Sequence, residues 1–126
     1  MASINYKVGI QCTSDQSGSL NGYDLEGGAT ESSIDTTFPA NSTNATVTLA
    51  FVQANVQALI LVSDKGCTFK TNNSTSPQDT IVLKPGIPLV WCKSPGYFNC
   101  PFVGNVTTAF VTTTVGARLQ GKILSS

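Results

Sequence analysis

Few residues in this 126-residue chain are of a type that does chemistry. There is no histidine. That removes imidazole general bases, the serine and cysteine triads, and imidazole-ligated metals. The seven acids are scattered. Asp24 and Glu26 stand two apart on a weakly indicated strand and would share a face. Such spacing suits a calcium ligand pair or the paired carboxylates of a glycosidase. Two solvated acids in a loop is the simpler reading. Asp64, in Ser-Asp-Lys-Gly, and Asp79, after Ser-Pro-Gln, look like turn residues whose carboxylates take backbone N–H groups. No phosphate-binding loop, nucleophile elbow or dinucleotide fingerprint occurs. The expectation is a protein that is not an enzyme, with no catalytic residue, no metal site and no cofactor.

Four cysteines remain: Cys12, Cys67, Cys92 and Cys100. They show neither Cys-x-x-Cys nor zinc-knuckle spacing. Cys12 and Cys67 fall on predicted strands and read as small core residues. Cys92 and Cys100 bracket a seven-residue Pro/Gly segment and form a candidate disulfide if the protein meets oxidising surroundings. Within the same stretch stand Trp91, Tyr97, Phe98 and Phe102, with Pro95 and Pro101 stiffening it. Three readings compete for this cluster. It anchors a protein partner, where Trp and Tyr dominate binding energy; it stacks on sugar rings; or Trp91 and Phe102 simply plug one end of the core. Between the two binding readings the partner is favoured, because the polar residues that usually frame a sugar are thin here.

The composition narrows the class. Charged residues make up 11% of the chain, against about 25% in a typical domain. Net charge is zero, with no basic excess to hold nucleic acid. Serine (13) and threonine (16) fill the gap. The charges are segregated. Residues 1–63 hold five acids and one base, net −4, and residues 64–126 hold two acids and six bases, net +4. The halves either pair inside one fold or present complementary faces to neighbouring copies. The longest apolar run is 58–62, far short of the roughly 18 residues of a membrane span. Residues 1–7 carry no run of signal-peptide length, so synthesis in the cytosol without export by a recognisable signal is expected. The five Asn-x-Ser/Thr sequons then read as by-products of composition.

The elements that must position these residues follow a period of two, not 3.6. Ile4, Tyr6, Val8 and Ile10 alternate with Asn5, Lys7, Gly9 and Gln11. Val47, Leu49 and Phe51 alternate with Thr46, Thr48 and Ala50. Residues 57–63 form a continuous apolar strand that needs cover on both faces. Further strands are read at 67–71, 80–83, 89–92, 109–113 and 118–124, with a single helical turn within 52–57. Residues 13–44 are rich in Gly and Ser and are expected as an extended arm or long loops, with weak strands at 20–25 and 33–38. The whole predicts a single all-β domain, an antiparallel β-sandwich of jelly-roll type with eight or nine short strands. Threonine on the wet face keeps a sheet polar without charge. Such a face is cheap to desolvate against another subunit.

A resemblance runs through residues 58–124. It is carried by Ala58-Leu59-Ile60-Leu61-Val62-Ser63-Asp64, by Thr68-Phe69-Lys70-Thr71-Asn72 and by Pro77-Gln78-Asp79-Thr80-Ile81. It continues through Leu83-Lys84-Pro85-Gly86-Ile87-Pro88-Leu89-Val90-Trp91, Tyr97-Phe98-Asn99-Cys100-Pro101-Phe102 and Val106-Thr107-Thr108-Ala109-Phe110-Val111-Thr112. This string of turns and strands resembles a family of small virion structural proteins of tailed bacteriophages. The resemblance implies a phage particle component, and the nearly uncharged Thr-rich faces make a capsid decoration, or cement, protein the favoured reading. It would be made in the host cytoplasm, reside in the virion, bind the major capsid protein, and cluster as a homo-oligomer, with a trimer favoured. It would have no nucleic-acid or membrane partner. The alternatives are a carbohydrate- or receptor-binding sandwich and a tail or neck component.

Overall fold

The computed structural model describes residues 4–15, 18–94 and 96–126. The side chains of Cys12 and Asp24 fall outside what is described, and with them the expected core role of Cys12 and the pairing of Asp24 with Glu26. The fold is all-β and antiparallel. Ten strands occur among the described residues: β1 (Ile4–Ser14), β2 (Gly18–Gly28), β3 (Thr30–Phe38), β4 (Ser42–Val47), β5 (Val56–Ser63), β6 (Cys67–Thr71), β7 (Thr80–Leu83), β8 (Leu89–Cys92), β9 (Ala109–Thr113) and β10 (Ala117–Ser125). One 3₁₀ turn, Gln53–Asn55, sits where a helical turn was expected.

The expectation of long loops over residues 13–44 is corrected, while the weak strands read at 20–25 and 33–38 fall within β2 and β3. Residues 13–44 supply all of β2 and β3. β2 is an eleven-residue strand that pairs along its whole length with β1, from Ile4 opposite Gly28 to Ser14 opposite Gly18. Its glycines and polar residues carry no apolar alternation, so the ladder from β1 holds it rather than burial. β3 buries only Ile34 and Phe38 because it lies at a sheet edge and half of its surface stays wet. The strand read at 45–51 stops at Val47. Beyond it Phe51 makes an isolated bridge, its N–H donating to Val106 O at 2.9 Å and its carbonyl accepting from Val106 N at 3.0 Å.

The strands form three sheets: the ribbon β1-β2, a sheet in the order β3-β10-β5-β8, and a sheet in the order β4-β9-β6-β7. The two four-stranded sheets share one core. Leu59, Leu61, Leu119 and Ile123 of the first meet Val47, Phe69, Ala109 and Val111 of the second. Strict alternation of buried and less buried residues in β6 and β9 places every second side chain in that core. Cys67 is among them, and burial pushes its thiol up. Thr113 also points inward, and its hydroxyl has no hydrogen-bond partner among the described residues. Thr113→Val removes that orphan at constant shape and is expected to stabilise the protein by about 1 kcal/mol, read from denaturant midpoints.

The ribbon lies over the outer face of the β3-β10-β5-β8 sheet. The Tyr6 hydroxyl donates to Glu31, and burial together with that carboxylate pushes the Tyr6 hydroxyl up. A groove of about 480 Å³ remains between the ribbon and Ile60, Val90 and Lys122. Gly28 closes the base of the ribbon. A Cβ there would stand 2.5 Å from Ser125 O and 2.9 Å from Leu124. The far half of the ribbon leaves the sheet, with Leu20, Tyr23 and Leu25 exposed and Lys7 over the Tyr23 ring at 4.2 Å. The exposed area is 7524 Å², where a compact chain of this mass exposes about 6,400 Å².

Among the described residues the charge segregation is met within the fold by one ion pair. Arg118 grips Asp35 through two bonds of 2.8 Å, Nε to Oδ1 and Nη2 to Oδ2, and holds that carboxyl below its usual range. Asp64 takes the Arg118 backbone N–H at 2.8 Å, across 54 residues rather than within its own turn.

Candidate functional site

The four aromatics read as one cluster are divided by the structure. Phe102 is wholly buried, with its ring edge-on to Phe51 at 5.3 Å and to Phe69 at 6.2 Å. Trp91, on β8, is half-buried against the core, and its indole N–H donates to Phe98 O at 2.8 Å. Tyr97 and Phe98 stand out at 84% and 80% exposed. Two residues therefore plug the core, and two project from the loop between β8 and β9. Burial separated them, and composition could not, because all four lie within twelve residues with no periodic pattern to sort them. Cys92 and Cys100, the candidate disulfide, flank this loop as half-buried thiols. The Trp91 bond and the Gly96 N–H donating to Lys93 O at 3.1 Å are what close the turn. Trp91→Phe is expected to lower stability by about 1 kcal/mol. Tyr97→Ala and Phe98→Ala are expected to stay within about 0.5 kcal/mol of the parent. Thermal unfolding of the three variants checks the division.

The same end of the molecule is tied by side chains. Asn72, in the left-handed region at φ 68°, donates from Nδ2 to Asn105 O at 2.9 Å, and its Oδ1 accepts from Thr107 N at 2.8 Å. Asp79 accepts from Val103 N at 3.3 Å and from the Thr71 hydroxyl at 3.3 Å. Asp79 does take a backbone N–H, but from another loop. These bonds make the β6–β7 and β8–β9 loops one unit.

The polar, nearly uncharged sheet face expected from the threonines is met on the outer side of the β4-β9-β6-β7 sheet. Register lines up Thr46, Phe110, Lys70 and Thr80 in one row across the four strands. A second row runs Thr112, Thr68 and Val82, with Asn44 at its β4 end, where the Thr112 hydroxyl takes the Asn44 N–H at 3.0 Å. Lys70 carries the one formal charge in these rows. Its ammonium donates to Asn44 Oδ1 and Ser74 O, each at 3.4 Å. Thr46, Thr80 and Val82 are exposed, and Val82 is 69% so. The opposite sheet differs: its outer face carries the Arg118–Asp35 pair and lies beneath the ribbon. Alternation along β9 and β7 turns these side chains outward. Their alignment into rows needed the strand order, which is not local information.

No helix among the described residues is long and apolar enough to cross a membrane. No family model matches the chain, and no curated protein or solved structure matches it either.

Proposed function

We propose that this chain is a structural protein of a bacteriophage virion, a decoration protein that seats on the outer shell against the major capsid protein. The observation that carries this reading is the outer face of the β4-β9-β6-β7 sheet. It is a four-stranded surface of threonines with Phe110 and Val82 and one already engaged cation. A surface of hydroxyls and apolar groups loses little on leaving water, whereas a face of Lys and Glu would carry a large desolvation cost. We read the strand orders β3-β10-β5-β8 and β4-β9-β6-β7 as the two Greek keys of an eight-stranded jelly roll, with the β1-β2 ribbon added to it. That architecture recurs in viral capsid and lectin domains. The resemblance over residues 58–124 points the same way. Cryo-microscopy of purified particles tests the proposal. Ordered density for this chain on the outer shell is expected, and its absence from particles overturns the reading.

A second reading, a receptor- or carbohydrate-binding module, is favoured by one observation, the exposure of Tyr97 and Phe98. Trp91, the best stacking surface of the four, has its N–H engaged and its ring half-buried, which counts against a sugar platform. Glycan-array screening decides: binding that Tyr97→Ala abolishes supports this second reading, and no binding rejects it.

A further inference from the structure

A sheet edge is a row of unpaired N–H and C=O groups, and proteins ordinarily blunt it with short strands, proline, lysine or a bulge. The two four-stranded sheets have four edges: β3, β8, β4 and β7. β7 spans four residues and runs into Lys84-Pro85. β8 also spans four and follows Pro88. β4 is broken by a register shift between Ser42 and Ala45, with Asn44 at φ 50°. β3 is also flanked by a proline, Pro39, but carries no device along its length. It is nine residues of continuous register with no proline, lysine or bulge, and Ser33, Asp35, Thr36 and Thr37 are all exposed. The ribbon edges are different in kind, since β2 carries four glycines, which specify register weakly.

We propose that the edge of β3 is a strand-addition site for β3 of a second copy, running antiparallel, so that two four-stranded sheets become one sheet of eight across a two-fold axis. The charges select the register. Centred on Ile34, the pairing sets Asp35 opposite the second copy's Ser33 and Glu31 opposite its Thr37, so no acid faces an acid. Moving the centre to Ser33 puts Asp35 opposite Glu31, and moving it to Asp35 puts that residue opposite itself. Both are penalised, because like charges directly opposed across strands destabilise the pair. Only shifts of a whole residue about the centre keep both inner faces on the same side. A two-fold pair is isologous and closed, unlike the three-copy cluster favoured from sequence. The inference does not depend on the virion role.

Sedimentation equilibrium over micromolar to millimolar concentrations tests it, with Ser33→Glu and Ser33→Lys as variants. Within one chain Ser33 lies opposite Lys122 on an exposed position, so Ser33→Glu leaves the fold intact, and thermal unfolding at low concentration monitors both variants. Wild-type protein is expected to approach the mass of two chains. Ser33→Glu faces Asp35 twice by symmetry and should weaken the pair about tenfold, while Ser33→Lys should tighten it. A monomer at every concentration, a mass of three chains, or a dimer indifferent to both substitutions overturns the proposal.

Discussion

Replacing Phe102 with alanine is expected to cost about 3–5 kcal/mol, the largest effect of any single substitution considered. The reason is its position. Phe102 lies between the Phe51 and Phe69 rings, in contact with a strand of the core and with the crossing segment that joins β4 to β5. Truncation removes two edge-to-face ring contacts and leaves a void that the neighbours cannot fill, since Phe69 and Val106 are themselves fully packed. Calorimetry or a denaturant series measures the loss. A cost below about 1 kcal/mol would place Phe102 at the surface instead, and the division of the aromatic cluster would be wrong.

The second large effect concerns binding and should leave the fold alone. Thr46→Glu with Val82→Glu puts two carboxylates on the sheet face whose one charged residue is Lys70, on its two edge strands. Both positions are exposed, so stability should move by less than about 0.5 kcal/mol for each substitution. If that face is buried against the shell, two unpaired charges must be desolvated, and occupancy on particles should fall at least a hundredfold by the cost of burying unpaired charge. Quantitative mass spectrometry of purified particles reads the occupancy. Unchanged occupancy in the double variant would show that a different face makes the contact.

How much of this was legible in the sequence depended on where each residue buries. β6, β9 and β10 were readable because one side of each faces a core that wants apolar residues, and period two follows. Residues 57–63 were read as a strand covered on both faces. Leu59 and Leu61 do meet the core, and Ile60 meets the ribbon, although it keeps 36% of its exposure because the groove is not filled. β2 was readable only in part, as a weak strand at 20–25, because its order comes from hydrogen bonds to β1 and not from burial of its own side chains. Among the aromatics, Trp91 and Phe102 were identified as possible plugs, and that reading held for both in place if not in degree. The loop conformation that turned Tyr97 and Phe98 outward left no periodic mark. Thr113 shows the limit of the threonine argument: threonine does not always mark the wet face of a sheet, and this one faces inward at 5% exposure.

The place of β10 in its sheet governs how the chain reaches this structure. β10 lies between β3 and β5, and those two strands share no ladder with each other. As the chain emerges from the ribosome, β3 and β5 therefore wait with an empty lane between them until residues 117–125 have been made. The ribbon is different, since β1 and β2 are adjacent in sequence and zip locally. Pairing Thr30 with Ser125 closes a very long loop, and folds dominated by such non-local contacts form in milliseconds to seconds rather than microseconds. During that interval Leu59 and Leu61 lack their neighbours Leu119 and Ile123. Slow closure with exposed apolar strands makes the nascent chain, more than the finished protein, the species at risk of aggregation.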